Sequence, residues 1–443
     1  MRNSTKIIWI ILIILIISVA LYWYFFFYGP GNQIEPIVND PNTPSGFVPL
    51  NSNNPTNNPV STTEPDIDSA TTTDNGLDLQ TIEGTLPKLR LLSNTPIGGY
   101  GASTTASTTV VRWIDRGRGN ILEAKGDSGE IVILSNTLLP RMYEGVWNKN
   151  ITAFIGSLIN NNADTPSTVY AKLYSQASTT SKVATSTSIA TTTDEKNTNV
   201  TPYYIKGKNL PENIIDYAVS PGGDKVFLLI KESGQGVGYV ANFDGTKLIQ
   251  IFNQPLTEVN VDWPEENTLT IATKGSANHQ GFLYFVNAKT GIWQKVLGPI
   301  YGLSAKVSRD AKYILVSTIN ADKEPVIKIY KVGTSAPIDT MIRTLADKCV
   351  WGNNYKELVY CAVPSNTENA TYPDDWYKGS VDFSDKILQY NTKDETISVV
   401  SPILDQTDRL IDAFNLGVDD RDDFLFFMNK HDLSFWSLDL SAE

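Results

Sequence analysis

A unit of roughly 44 residues, made of four short β-runs, recurs along the chain and limits the fold more than any other feature. Its clearest copy opens with Ile215-Asp216-Tyr217-Ala218-Val219 and the turn Ser220-Pro221-Gly222-Gly223-Asp224. Val226–Ile230, Val237–Asn242 and, beyond the Asp244-Gly245 turn, Lys247–Phe252 add three runs rich in β-formers. The next copies open at Val259-Asn260-Val261-Asp262-Trp263 and at Leu303-Ser304-Ala305-Lys306-Val307. Equivalent openings stand at Tyr143-Glu144-Gly145-Val146-Trp147, Lys348-Cys349-Val350-Trp351 and Asp412-Ala413-Phe414-Asn415-Leu416. The units that begin at Tyr143 and Lys348 are longer, and each carries a polar insert. From Leu86 onward no long segment follows the helical period of about 3.6 residues.

Four strands per period match the blades of a β-propeller, in which each blade buries its faces against its neighbours. The final unit stops at Leu440 after Phe424–Met428 and Ser434–Asp439, one strand short. Lys88-Leu89-Arg90-Leu91-Leu92-Ser93 lies ahead of the first full unit and is similar to the closing run Glu130–Thr137. The expected fold is therefore all-β: a propeller of seven four-stranded blades over residues 86–443, its last blade completed by the N-terminal strand. Such closure removes an exposed sheet edge. Six or eight blades follow if the two long units are divided differently.

The Ser220-Pro221-Gly222-Gly223-Asp224-Lys225 turn resembles the Ser-Pro-Asp-Gly turn of WD40-like repeats in TolB-type bacterial propellers, with Gly222 where that pattern has Asp. Ser308-Arg309-Asp310-Ala311-Lys312 keeps part of the same pattern. The order of apolar segment, polar tether and propeller also resembles uncharacterised membrane-anchored bacterial proteins. The resemblance covers about Lys88 to Leu440. It implies a fold and is nearly silent on activity, because this architecture serves many functions.

Ile7 to Tyr28 reads IIWIILIILIISVALYWYFFFY, without a charge. At about 1.5 Å per residue it spans roughly 33 Å, enough to cross a hydrocarbon core of about 30 Å. Arg2 and Lys6 precede it, and no Lys or Arg follows until Lys88. That asymmetry predicts a single-pass helix with residues 1–6 cytoplasmic and the remainder outside. A cleaved signal peptide has a shorter apolar core and a small-residue cleavage site, whereas this run ends in bulky aromatics. Residues 29–85 are rich in Pro, Asn, Thr and Ser and read as a disordered tether, with an end-to-end distance of roughly 40 Å or more. Ser103–Thr109 and the low-complexity insert 176–199 read as disordered surface loops.

The formal charge of −12 argues against nucleic acid as a partner, since phosphate backbones are repelled. The two histidines, His279 and His431, are too few for a multi-His metal centre, and no cofactor or metal is expected. Gly126-Asp127-Ser128-Gly129 matches the tetrapeptide around a chymotrypsin-like nucleophile, but both histidines lie far downstream and the repeat assigns it to a turn. Asp419-Asp420-Arg421-Asp422-Asp423 is read as a solvated turn in the slot of Ser220–Asp224 rather than a calcium loop. Cys349 and Cys361 flank an expected hairpin, and pairing around its turn allows a disulfide in an oxidising compartment. Trp147, Trp263 and Trp351 recur at equivalent positions and read as packing between blades.

One stretch reads as more than scaffold. Tyr372-Pro373-Asp374-Asp375-Trp376-Tyr377 lies in the insert after Ala362 and is expected to project from its blade. Tyr372, Trp376 and Tyr377 can stack on a sugar or anchor a protein, with Asp374 and Asp375 accepting hydrogen bonds; the alternative is an insert packed back onto the ring. No catalytic set emerges from the residues. The expected function is a membrane-anchored binding module for a protein or envelope polymer. The alternatives are a carbohydrate-active hydrolase or lyase that uses an Asp pair brought together by folding, or a structural component of the envelope.

Overall fold

The computed structural model describes residues 86–135, 139–159, 166–175, 203–403, 407 and 409–441. All lie in the compact unit Asn75–Glu443. The expected membrane helix at 7–28, the tether at 29–85 and the insert at 176–199 fall outside these residues. Among the described residues no helix is long and apolar enough to cross a membrane.

The described strands form seven four-stranded antiparallel sheets arranged as the blades of a propeller. The innermost strands are Ile97–Thr104, Met142–Trp147, Ile214–Val219, Val259–Glu265, Ser304–Val307, Cys349–Trp351 and Ala413–Val418, in blades 1 to 7. Every unit opening expected from the repeat falls on one of them. The second strand of each blade is sandwiched between neighbouring blades, so it buries both faces and reads as a continuous apolar run. Lys225–Glu232 in blade 3 and Phe424–Asn429 in blade 7 show this pattern. Between blades 3 and 4, Phe227 and Leu229 pack against Trp263, Leu269 and Ile271. Trp147, Trp263 and Trp351 are all buried in such layers.

The turn from the first to the second strand shows how the repeat is encoded. In blade 3, Ser220 Oγ accepts from the Lys225 amide at 3.1 Å. In blade 5, Ser308 Oγ accepts from the Tyr313 amide at 2.9 Å. In blade 7, Asp419 Oδ1 accepts from the amides of Asp423 and Phe424 at 2.7 and 2.9 Å. The fourth residue of each turn is left-handed, with φ of 74° at Gly223, 53° at Ala311 and 61° at Asp422. Glycine suits that slot because it lacks a Cβ. At Gly223 a Cβ would also lie 2.5 Å from the Lys149 backbone nitrogen, so this turn sits directly on the equivalent turn of blade 2.

Three sequence expectations change. The Asp419–Asp423 turn is not solvated throughout: Asp419 and Asp422 are buried. Asp419 Oδ2 accepts from the hydroxyls of Thr104 and Thr109 in blade 1. Asp422 accepts from the amides of Asn353, Asn354 and Tyr355 in blade 6. The carboxylates that suggested a cation loop instead tie blade 7 to both neighbours. Ser103–Thr109 is likewise no disordered loop. It is the tip of a hairpin, with Thr104 paired opposite Thr109, and its hydroxyls meet Asp419. The strand placed at Lys247–Phe252 begins at Ile249, because Lys247 takes φ 56° and lengthens the turn.

Leu89–Ser93 pairs antiparallel with Phe435–Asp439 and forms the outer edge of blade 7, as the sequence predicted. Arg90 then reaches into blade 1, donating to the carbonyls of Gly126 and Ser128 at 3.2 and 2.9 Å. Cys349 and Cys361 stand directly opposite on neighbouring strands of blade 6 and are disulfide-bonded. Replacing both with alanine should lower stability by about 2–3 kcal/mol. Reductant should lower the melting midpoint of the natural chain and leave that of the double variant unchanged. Equal midpoints for both chains without reductant would show that the bridge contributes nothing.

Candidate functional site

The first strands of the blades all run the same way around the axis, and their exposed side chains surround a central channel of about 1070 Å³. Near the strand starts, Glu144 of blade 2 and Asp216 of blade 3 face it. Near the strand ends and in the turns beyond them stand Lys149, Lys306 and Arg309. The channel therefore has opposite charge at different depths, although Arg116 at one end and Asp420 at the other soften the division.

Asp216 is held between two blades. Its Oδ2 accepts from the Val261 amide of blade 4 at 2.8 Å, and its Oδ1 accepts from the Tyr217 amide at 2.8 Å. Burial pushes its carboxyl up to about 7; the two amide bonds pull the other way, and the neighbouring Glu144 adds to the rise. Burial also raises Glu144. Tyr217, whose hydroxyl lies 3.3 Å from Ser157 Oγ, completes this wall. Lys274 is the cation that acts on Asp216, and its ammonium is paired with Glu258 at 3.0 Å. Such a wall can hold a cationic group, or exchange a proton near neutrality. At the other end Arg309 donates to Asn353 Oδ1 at 3.2 Å, which fixes its guanidinium at the rim.

The stretch singled out in the sequence lies elsewhere. It folds into the short helix Asp374–Lys378 and packs back onto the ring. Tyr372 and Trp376 are 1% and 4% exposed and pack with Leu345 and Phe383. Trp376 Nε1 donates to Asp412 Oδ2 at 2.9 Å. Asp374 accepts from Ser276 Oγ and the Ala277 amide of blade 4 at 3.0 and 2.7 Å. Asp375 accepts from the Thr371 amide at 2.8 Å. Tyr377 is half-exposed and donates to Asp347 at 2.7 Å. Neither ring face of Tyr372 or Trp376 is open to a sugar, and the projecting insert is instead a clasp across blades 4 to 7. Its outer edge, at Tyr377 and Asp375, is the part left to a partner.

Beneath the clasp, Lys348 is fully buried. Its ammonium donates to Asp385 Oδ2 at 2.8 Å, to Asp412 Oδ1, and to the Ala413 carbonyl at 2.9 Å. Burial pushes Asp385 up to about 6, against the pull of Lys348. Among the described residues no three His, Cys, Asp or Glu come together as a metal site. Ser128 of the nucleophile-like tetrapeptide only accepts from the Glu130 amide, while His279 and His431 lie against Ser276 and Asp382. Sequence reasoning missed Glu144, Asp216 and Lys348. The available signal was a carboxylate or a lysine inside or beside an inner strand, where a buried strand should be apolar.

By its strand order the described part of the chain is a seven-bladed β-propeller. No family model matches the sequence, and no curated protein matches it. Solved structures similar to it include TolB from Acinetobacter baumannii, at 10% identity, 63% of this chain, 58% of that chain and a TM-score of 0.39. The β-propeller domain of the Trilobed protease from Pyrococcus furiosus aligns at 10% identity over 80% of this chain and 97% of that one, with a TM-score of 0.47. A puromycin-hydrolyzing peptidase of Mycobacterium tuberculosis aligns at 12% identity over 77% and 53%, with a TM-score of 0.44. The chain thus spans little more than half the length of the TolB and puromycin-hydrolyzing peptidase chains. The fold assignment stands on the sheet order itself.

Proposed function

We propose that this protein is a membrane-anchored, extracytoplasmic binding module that takes a protein segment or envelope polymer at the mouth of its propeller channel. The channel carries the reading. Its charges of opposite sign stand at different depths, around a volume of the size that holds an extended chain segment. The apolar run at 7–28 supports the anchor, and the Cys349–Cys361 disulfide suits an oxidising compartment. A tether raises the effective concentration of such a module at the surface it serves.

The test is a quantitative pull-down with the full-length chain in detergent, compared with a Glu144→Gln/Arg309→Gln variant. Both side chains line the channel, so the fold should survive. Capture of a partner by the natural chain, reduced about tenfold or more in the variant, is the expected result. Equal capture by both would remove the channel from the reading. Deleting the 371–378 clasp is a poorer test, because it removes the buried Tyr372 and Trp376.

One observation favours a second reading, a carbohydrate-active hydrolase or lyase. Asp216 is half-protonated near neutrality and lies close enough to Glu144 to feel its charge, an arrangement that can divide acid and base roles between two carboxyls. In that case turnover of a polysaccharide should fall as pH rises through about 7, since Asp216 would act while protonated. Asp216→Asn should abolish it. Undiminished turnover by that variant would exclude the reading.

A further inference from the structure

We propose that the outer hairpin of blade 2 is a docking surface for an anionic polysaccharide, a sugar chain bearing carboxylates along its length. Strands Ser167–Ser175 and Tyr203–Asn209 pair Tyr170 with Lys208, Lys172 with Lys206, and Tyr174 with Tyr204. Alternate residues of a strand share a face, so these six side chains form a two-by-three grid on one side of the hairpin. Val169, Ala171 and Leu173 are buried on the other side.

Within the grid the tyrosines hold the lysines in place. Tyr174 and Tyr204 stack, with ring centroids 5.4 Å apart and planes inclined by 16°. Lys172 lies over Tyr174 at 5.4 Å. Lys206 lies over both Tyr174 and Tyr204, at 5.7 and 5.4 Å. Lys208 lies over Tyr170 at 5.9 Å. Only Lys208 has an acidic partner, Asp244 at 3.5 Å. Lys172 and Lys206 form no ion pair with any described residue.

That arrangement works against the fold. Like charges directly opposite on neighbouring strands repel, and ordering long side chains costs entropy. The chain carries 48 acidic residues against 36 basic ones, so acids to neutralise these lysines are not scarce. An anion bridging the ammonium groups removes the conflict. Residues two apart on a strand are separated by roughly 6.6–6.8 Å, and neighbouring strands by about 4.8 Å. The lysines therefore offer a row of cations at the scale of successive charged sugars. The phenol hydroxyls of Tyr174 and Tyr204 bond to no described residue and are placed to meet sugar hydroxyls.

The shape selects a single polymer strand over a flat anionic surface. A cleft of about 360 Å³ beside Tyr170 and Lys172 is walled by Asp224 and Asp244, which a bilayer laid on this side would also meet. A thin chain following the lysines avoids them. The grid is separate from the channel, so the two proposals fail independently.

Biolayer interferometry with immobilised polygalacturonate and the full-length chain in detergent tests the assignment. Dextran, single-stranded oligothymidine and phosphatidylglycerol vesicles serve as the other probes. The natural chain should bind polygalacturonate and not dextran. Lys172→Gln/Lys206→Gln should weaken that binding about tenfold or more and flatten its dependence on salt. The same variant should melt no lower than the natural chain, because a repulsion has been removed, and Glu144→Gln/Arg309→Gln should bind unchanged. Failure of the natural chain to bind, or equal binding by the lysine variant, overturns the proposal. A lower melting midpoint in that variant overturns it too, since it would make the lysines structural. Lysine-dependent binding of DNA or vesicles without polygalacturonate overturns the ligand class.

Discussion

Replacing Lys348 with methionine should destabilise the propeller by about 3–5 kcal/mol at neutral pH. The side chain is wholly buried and is the cation between Asp385 and Asp412. Methionine fills a similar volume but leaves two carboxylates facing each other without a countercharge. Asp412 also accepts from Trp376 Nε1 and from the Phe383 amide at 3.2 Å. Asp385 accepts from the Ala413 amide at 2.7 Å. Losing the cation therefore disturbs blades 6 and 7 and the clasp together. The deficit should depend on pH in a defined direction. Asp385 already titrates near 6 in the folded chain, above its ordinary 3.8, and removing Lys348 raises it further. The folded variant then binds protons more readily than the unfolded chain, so its deficit should narrow as pH falls from 7 towards 5. Thermal and denaturant unfolding at both pH values measure this. A variant with the stability of the natural chain at pH 7, or a deficit that widens in acid, would exclude the triad as the support of the clasp.

The second large effect should come from deleting residues 86–93. Leu89 and Leu92 are buried in the sheet they complete, and at about 1.5–3 kcal/mol for each buried leucine the loss should exceed about 3 kcal/mol. The Arg90 bonds to blade 1 disappear as well. The strand Phe435–Asp439 becomes a bare edge carrying Phe435 and Trp436, a template for pairing with another chain. The shortened protein should melt well below the natural one and associate at concentrations where the natural one does not, as light scattering would show. An unchanged midpoint with a monodisperse sample would mean that the ring does not depend on its first strand.

The fold was legible because the repeat wrote it several times. Ser220, Ser308 and Asp419 occupy one slot and perform one task, so each copy corroborates the others. Even the strand borrowed from the N-terminal side was visible, since the last unit lacked a fourth run. The candidate sites were not legible in the same way. Glu144 and Asp216 belong to different blades and meet only because the ring brings inner strands together. Tyr372 and Trp376 suggested an exposed aromatic platform. Their partners, Asp412 and Lys348, lie outside the insert, and nothing local records that the helix turns inward. Composition also misled at Ser103–Thr109, where threonines that look like loop filler cap a buried aspartate. At Tyr170–Tyr174 and Tyr204–Lys208 the alternation was in the sequence, but the hairpin register was needed to set the two rows side by side.

The pairing of Leu89–Ser93 with Phe435–Asp439 also bears on how the molecule is made. One of the first described segments to be synthesised must wait for one of the last before its backbone is satisfied, and contacts between such distant segments form late. A chain terminated before Phe435 would leave both an unpaired strand and an incomplete blade, species that aggregate or are degraded. Ring closure thus makes the folded state a report on complete translation, and nascent-chain proteolysis should find protection only after the final blade has emerged.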